Sequence, residues 1–118
     1  MPHILLETSA DLLENDSIPQ ILEDLVAVLG RQATIEAQRI KARHALRSNW
    51  VMGAGGPKGF AHCACSLIGG RDAELRRAIG QSLFEVMKDC FRDSLAQNEV
   101  SLTVEIREMD PDTYFRQG

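Results

Sequence analysis

The sequence predicts an α+β fold in which two consecutive βαβ units form a four-stranded sheet with two helices on one face. The order strand, helix, strand occurs twice, at about residues 2–50 and 58–109, and apolar residues alternate with polar ones from Val100 to Arg107. The chain has 118 residues, of which 44% are hydrophobic and 25% charged. That size and composition indicate a single domain over residues 1–118.

The first unit is predicted from local sequence signals. Segment 2–8 is short and rich in Ile and Leu, which is typical of a strand. Ser17 and Pro19 supply a helix cap and a first-turn proline, and apolar residues then recur at helical spacing until Gly30. Residues 35–47 contain no glycine or proline and predict a second strand, although alanine and glutamate weaken the pattern.

The second unit begins after the glycine-rich segment 53–59, which predicts a turn. The segment lacks the lysine-threonine signature and the following helix of a phosphate loop. Residues 60–68 predict a third strand, and Asp72 is the expected cap of a long helix. An apolar stripe from Leu75 to Leu95 predicts that this helix runs for about six turns.

Alternation along the strands divides the sheet into two faces. The set expected beneath the helices is Ile4, Leu6, Ile40, Ala42, Cys63, Cys65, Leu67, Val100, Leu102, Val104 and Ile106. The opposite set is His3, Glu7, Arg39, Lys41, Arg43, His62, Ser66, Thr103, Glu105 and Arg107. The second set is too polar to lie under a helix, so we expect a homo-oligomer to cover this open face. Residues 110–118 are expected to form a polar tail.

Charge and composition argue against several classes of protein. A net charge of −4 gives no overall attraction for nucleic acid or for an acidic membrane surface, and no apolar run is long enough to span a bilayer. The start of the chain lacks the pattern of a secretion signal, so we expect a cytoplasmic protein. Cys63, Cys65 and Cys90 are expected to be reduced. His62 would face away from its neighbour Cys63, so no metal site is expected there.

Pro2 is the residue that would become the amino terminus if Met1 were removed. A free N-terminal proline is a secondary amine with a lone pair, whereas a proline that follows Met1 is a non-basic amide. An α-amino group titrates near ~8, and apolar surroundings or nearby cations lower its pKa toward neutral pH. Pro2 is therefore a candidate general base, with a purely structural proline as the alternative.

Four cations are candidates for binding a carboxylate: Arg39, Lys41, Arg43 and Arg71. Arginine presents a planar fork of N–H donors that matches a carboxylate, and in a partly dry site it stabilises a developing dienolate. The alternative is a solvated surface in which Glu7, Glu36 and Glu105 pair with these cations.

Motifs along nearly the whole chain carry a more specific signal. They are Pro2-His3, Ser17-Ile18-Pro19, Ile40-Lys41-Ala42-Arg43, Phe60-Ala61-His62, Ile68-Gly69-Gly70-Arg71 and Leu83-Phe84-Glu85. In these motifs the chain resembles the 5-carboxymethyl-2-hydroxymuconate isomerase family of the tautomerase superfamily. The resemblance implies a homotrimer and an isomerase that moves a proton within an unsaturated polycarboxylic acid from aromatic breakdown. It implies no metal and no cofactor.

The resemblance also implies roles for individual residues. Pro2 is the general acid/base, and Arg71 binds and polarises the substrate. The family has arginine at position 41, where this chain has Lys41, so a bidentate grip becomes a point charge unless Arg39 replaces it. Two alternatives follow from this departure: a related acid as substrate, or a trimeric carboxylate-binding module without catalysis.

Overall fold

The computed structural model describes residues 2–118, and in them strands and helices alternate in the predicted order. The main elements are β1 (His3–Ser9), α1 (Ile18–Gly30), β2 (Lys41–Arg47), β3 (Gly59–Ile68), α2 (Ala73–Cys90), α3 (Arg92–Ala96) and β4 (Val100–Met109). Short 3₁₀ helices lie at Leu13–Ser17, Ala37–Arg39 and Pro111–Thr113. No helix within residues 2–118 is both long and apolar enough to cross a membrane.

The sheet has the strand order β2-β1-β3-β4. β1 is parallel to β2, β3 is parallel to β4, and antiparallel pairing of β1 with β3 joins the two βαβ units. The predicted α+β fold is therefore confirmed. The limits of the two repeats, 2–50 and 58–109, and the single domain over 1–118 stay predictions.

The two faces of the sheet have the predicted character. The pairing register places Ile4 beside Ala42 and Cys65, and Cys65 beside Ile106. Ile4 and Cys65 are fully buried in the cluster that both main helices cover. On the other face, His3 pairs with Lys41 and Ser66. The core therefore lies between the sheet and the helices, and the polar face is open.

The prediction of a second strand over residues 35–47 is wrong in its first half, because β2 begins at Lys41. Residues Ala37–Arg39 form a 3₁₀ turn, in which Ile40 N–H donates to the Ala37 carbonyl at 3.3 Å. Alanine and glutamate have low strand propensity, and this segment instead forms a turn that leads from α1 to the sheet. Arg39 therefore does not lie on the strand that carries Lys41.

The predicted six-turn helix is interrupted after Cys90. Phe91 has a non-helical backbone (φ −107°, ψ 22°) and is fully buried, and the short helix α3 follows it. The stripe of apolar residues extends past the break because Phe91 still enters the core. Leu95, expected on the buried stripe, is 37% exposed.

Two smaller predictions also need correction. Ser17 precedes α1, but its side chain makes no capping hydrogen bond. By contrast, Asp72 caps α2 as predicted, because its Oδ1 accepts from Leu75 N–H at 2.8 Å. The C-terminal segment is more than a polar tail, since Tyr114 Oη and His3 Nε2 form a 2.8 Å hydrogen bond.

Candidate active site

One cavity of about 360 Å³ contains three of the predicted site residues. Its lining residues come from the N-terminus, the segment between α1 and β2, and the end of β3: Pro2, Thr34, Ile35, Glu36, Arg39, Ile68 and Arg71. The cavity lining combines two arginines and a glutamate with two apolar isoleucines. Such a combination of apolar walls and a few convergent polar groups is typical of a small-molecule site.

Pro2 lies immediately before β1 and is buried. Its carbonyl accepts a hydrogen bond from Lys41 N–H at 3.0 Å, which holds it against the start of β2. Because strand pairing fixes the Pro2 backbone, its ring has a defined place in the cavity wall. The expected removal of Met1 concerns a residue outside the described range 2–118.

Arg71 reaches the cavity because the chain turns sharply after β3. Gly70 has φ 125°, a conformation that favours glycine, and Gly69 N–H donates to Met109 O at 2.9 Å. The Arg71 guanidinium donates to Thr34 Oγ1 at 2.9 Å, Ile68 O at 2.9 Å and Thr34 O at 3.1 Å. A guanidinium has five N–H donors, so these bonds hold the group while leaving two donors for a ligand.

The structure separates the two candidates for the second cationic role. Arg39 lines the cavity from its 3₁₀ turn, where its Nε donates to Glu36 Oε2. Lys41 is exposed and is not a lining residue. Arg43 lies on the open face, with its Nη1 3.3 Å from His3 Nδ1. Within one subunit, the cavity therefore brings together Pro2, Arg39 and Arg71.

One of the three glutamates expected to pair with these cations does so, and the other two pair with different arginines. Glu36 does pair with Arg39. Glu7 instead pairs with Arg47, with 2.8 Å between Oε2 and Nε, and Glu105 Oε1 pairs with Arg107 Nη2 at 2.7 Å. The pairing expected by the solvated-surface alternative therefore holds for Glu36 with Arg39, but Glu7 and Glu105 pair with arginines that are not candidate site residues. Arg71 in the cavity has no acidic partner among residues 2–118.

Two titratable groups on the open face have lowered pKa values. Hydrogen bonds from Arg107 and His62 lower the pKa of Glu105 to about 2. Burial, together with the charges of Arg43 and Lys41, lowers the pKa of His3.

The buried thiols are poorly suited to chemistry. Burial raises the pKa of Cys63 to about 12 and that of Cys65 to about 11, which keeps both neutral at physiological pH. His62 lies on the opposite sheet face, where its Nδ1 is 2.6 Å from Thr103 Oγ1. Among residues 2–118, no group of three or more His, Cys, Asp or Glu side chains is arranged to hold a metal ion.

Sequence reasoning did not select Thr34, Ile35 or Ile68 as cavity residues, and it assigned Glu36 only to surface pairing. The incorrect strand prediction explains most of this, because an extended segment would have carried Ile35 and Glu36 along the sheet. A threonine with a positive φ carries no sequence signal, since glycine or asparagine is the usual residue there.

Comparison with known proteins gives a consistent result. A family model described as 5-carboxymethyl-2-hydroxymuconate isomerase matches residues 2–118. A relative from Escherichia coli named 5-carboxymethyl-2-hydroxymuconate Delta-isomerase is 28% identical over 120 residues, covering 100% of this chain and 94% of the relative.

Solved structures agree with the fold. A 5-carboxymethyl-2-hydroxymuconate isomerase from Deinococcus radiodurans R1 superposes with a TM-score of 0.88 and 29% identity, covering 98% of this chain and 88% of that chain. A more distant structure, named Q0 fused 4-OT wild type symmetric trimer, has a TM-score of 0.66 and 16% identity, covering 90% of this chain and 85% of that chain. At that identity the similarity shows the fold alone.

Proposed function

The chain belongs to the 5-carboxymethyl-2-hydroxymuconate isomerase family and is an isomerase, and on that premise we propose that Pro2 acts as its general acid/base. The proposed substrate is an unsaturated 2-hydroxy or 2-oxo polycarboxylic acid from aromatic breakdown, such as 5-carboxymethyl-2-hydroxymuconate. The observation that carries the proposal is that Pro2, Arg39 and Arg71 line one cavity.

The proposed reaction is a proton transfer within one molecule. The neutral amine of Pro2 removes the enol proton or an allylic proton, and the electron pair moves through the conjugated system. The resulting prolinium returns the proton to a carbon one conjugated position away, which shifts the double bond and regenerates the amine. Nearby Arg39 and Arg71 favour the unprotonated amine before the reaction, because like charges repel.

The two arginines are proposed to divide the recognition of the acid. Arg71 is held by three hydrogen bonds, so its remaining donors can bind a carboxylate or the developing oxyanion without a large loss of entropy. Arg39 lines the same cavity, whereas Lys41 does not, so Arg39 is the candidate for binding a second carboxylate within the same subunit. Lys41 keeps a role only if it reaches the cavity of an adjoining subunit, which is part of the proposal for a homo-oligomer.

The base assignment is tested by steady-state ultraviolet assays of unsaturated 2-hydroxy acids. The enzyme is first shown by intact mass to begin at Pro2. We expect Pro2→Ala to lower kcat/KM by about 100-fold or more, because general acid/base catalysis contributes that much. Pro57→Ala, in the exposed loop between β2 and β3, is the matched control and should keep full activity. Equal activity of Pro2→Ala and the parent enzyme would reject the assignment.

A form that retains Met1 gives an independent check of the same chemistry. Its Pro2 nitrogen is an amide, so this form should bind acids but not turn them over. A panel of 2-hydroxydienoates, phenylpyruvate-type enols and halogenated acrylates then identifies the substrate. If processed enzyme binds acids but turns over none of them, the protein is a carboxylate-binding module.

We further propose that the protein is a cytoplasmic homotrimer. β2 and β4 are the two edge strands of the sheet formed within residues 2–118, and the polar face also carries Leu5 and Ala64. A depression of about 560 Å³ with apolar residues such as Phe84 and Ile106 runs between α2 and β4, and it shares no lining residue with the Pro2 cavity. An unpaired strand edge beside an apolar groove favours association.

The proposed assembly is tested by light scattering after gel filtration. A trimer has a mass about three times the 13.1 kDa of one chain. A monomer at micromolar concentration would contradict it.

A further inference from the structure

Thr34 has an unusual backbone conformation in the wall of the cavity. Its φ is 71°, and it occupies the third position of a turn in which Ile35 N–H donates to Gln32 O at 3.3 Å. Glycine or asparagine usually occupies such a position, because a β-branched side chain is strained at positive φ. Conformations of this kind persist when surrounding interactions hold them, and they are concentrated at functional sites.

The interactions that hold Thr34 come from Arg71. Arg71 Nε donates to Thr34 Oγ1 at 2.9 Å, and Arg71 Nη2 donates to Thr34 O at 3.1 Å. A side-chain oxygen and a main-chain oxygen of one residue therefore face the guanidinium, much as the two oxygens of a carboxylate would. The third bond, from Nη1 to Ile68 O, fixes the group from the other βαβ unit.

We propose that Thr34 is a positioning residue that fixes the plane of the Arg71 guanidinium, so that its remaining donors are preorganised for a carboxylate group of the substrate. This inference rests on the proposed role of Arg71 in substrate binding. The strained backbone is retained because both oxygens are needed to hold the guanidinium. Without the hydroxyl, Arg71 would sample more rotamers and would lose more entropy when an acid binds.

Three substitutions of Thr34 separate its hydroxyl from its shape and its strain. Thr34→Val keeps the branched shape but removes the acceptor for Nε, and we expect kcat/KM to fall by about tenfold. Thr34→Ser keeps the hydroxyl and should remain within about twofold of the parent. Thr34→Gly relieves the strain, so it should keep or raise the melting temperature while losing activity as Thr34→Val does.

Thr113→Val is the matched control. Thr113 is exposed, and its hydroxyl makes no hydrogen bond with any side chain or backbone group in the range 2–118. Thr113→Val should leave both kcat/KM and the melting temperature unchanged. Parent-like activity of Thr34→Val would overturn the inference, as would a Thr34→Ser variant as impaired as Thr34→Val.

A double-mutant cycle provides the readout that a merely structural role would not change. Thr34→Val is combined with Arg71→Ala and, separately, with Arg71→Lys, which keeps the charge but lacks the fork. If Thr34 acts through Arg71, Thr34→Val has no further effect in either background. Equal fractional losses in all backgrounds would overturn the inference while leaving the proposed function intact. If Arg71→Ala alone were fully active, the proposed role of Arg71 would itself be wrong, and the inference would be overturned with it.

Discussion

At the scale of single residues, the cavity combines groups that attract acids with one that repels them. Among the described lining residues, Arg39 and Arg71 are positive and Glu36 is negative. Glu36 accepts a hydrogen bond from Arg39, so an incoming carboxylate competes with it for that guanidinium. Glu36 is 60% exposed, which means that solvent screens much of this repulsion.

We therefore predict that Glu36→Gln tightens the binding of dianionic acids. KM for a dicarboxylic substrate should fall by at most about fivefold at low ionic strength, with a smaller change at physiological salt. A monocarboxylic substrate should respond less. Measurements of KM at two salt concentrations test this prediction. Glu99→Gln is the control, because it removes one negative charge at another exposed position. An equal fall in KM for both variants would show that only net charge matters.

At the scale of elements, the sequence predicted β1, β3, β4 and the start of α2 because each has a strong local signal. Alternation in β4 and the Asp72 cap are examples. The route from α1 to β2 was not predictable, since a turn held by Arg71 depends on a contact between distant parts of the chain. As a result, Pro2, Arg39 and Arg71 could be selected by residue type, whereas Thr34 could not.

The hydrogen bonds between Glu14 and Ser94 of α3 are another contact that sequence periodicity does not reveal. Glu14, in the 3₁₀ helix before α1, is only 8% exposed. Its Oε1 accepts from Ser94 Oγ at 2.5 Å, and its Oε2 accepts from Ser94 N–H at 3.1 Å. This pair joins α3 to the first βαβ unit.

We predict that Glu14→Ala lowers the free energy of unfolding by about 1–3 kcal/mol, because it leaves the buried Ser94 N–H and hydroxyl without their acceptors. Glu14→Gln retains one oxygen acceptor and should cost less. Urea unfolding at neutral pH measures both changes, with Glu23→Ala on the exposed side of α1 as the control. A Glu14→Ala variant as stable as the control would contradict the prediction.

At the scale of the whole molecule, the folded state disfavours protonation of two histidines. Burial lowers the pKa of His44, and burial with the charges of Arg43 and Lys41 lowers that of His3, both from an ordinary value of 6.5. The unfolded chain therefore binds more protons than the folded chain once the pH falls below about 6.5. Above that pH the two histidines do not reduce the free energy of unfolding. As the pH falls below it, the free energy of unfolding decreases until the lowered pKa values of the folded state are reached.

We predict that the melting temperature falls as the pH is lowered from 7 to 5, before most carboxylates titrate. The variant with both His3→Gln and His44→Gln should show a flatter profile over this interval, because neither position can then take up a proton. Scanning calorimetry at several pH values measures the difference. Identical slopes for parent and variant would exclude these histidines as the cause.

The Pro2 cavity lies across the seam between the two βαβ units. Pro2, Thr34 and Arg39 come from the first unit, and Ile68 and Arg71 come from the second. An acid that contacts both units stabilises their docked arrangement over any state in which they separate, by an amount that grows with ligand concentration. If the chain were cut in its exposed 48–58 loop, binding of a carboxylic acid in the cavity would show whether the two peptides had reassembled.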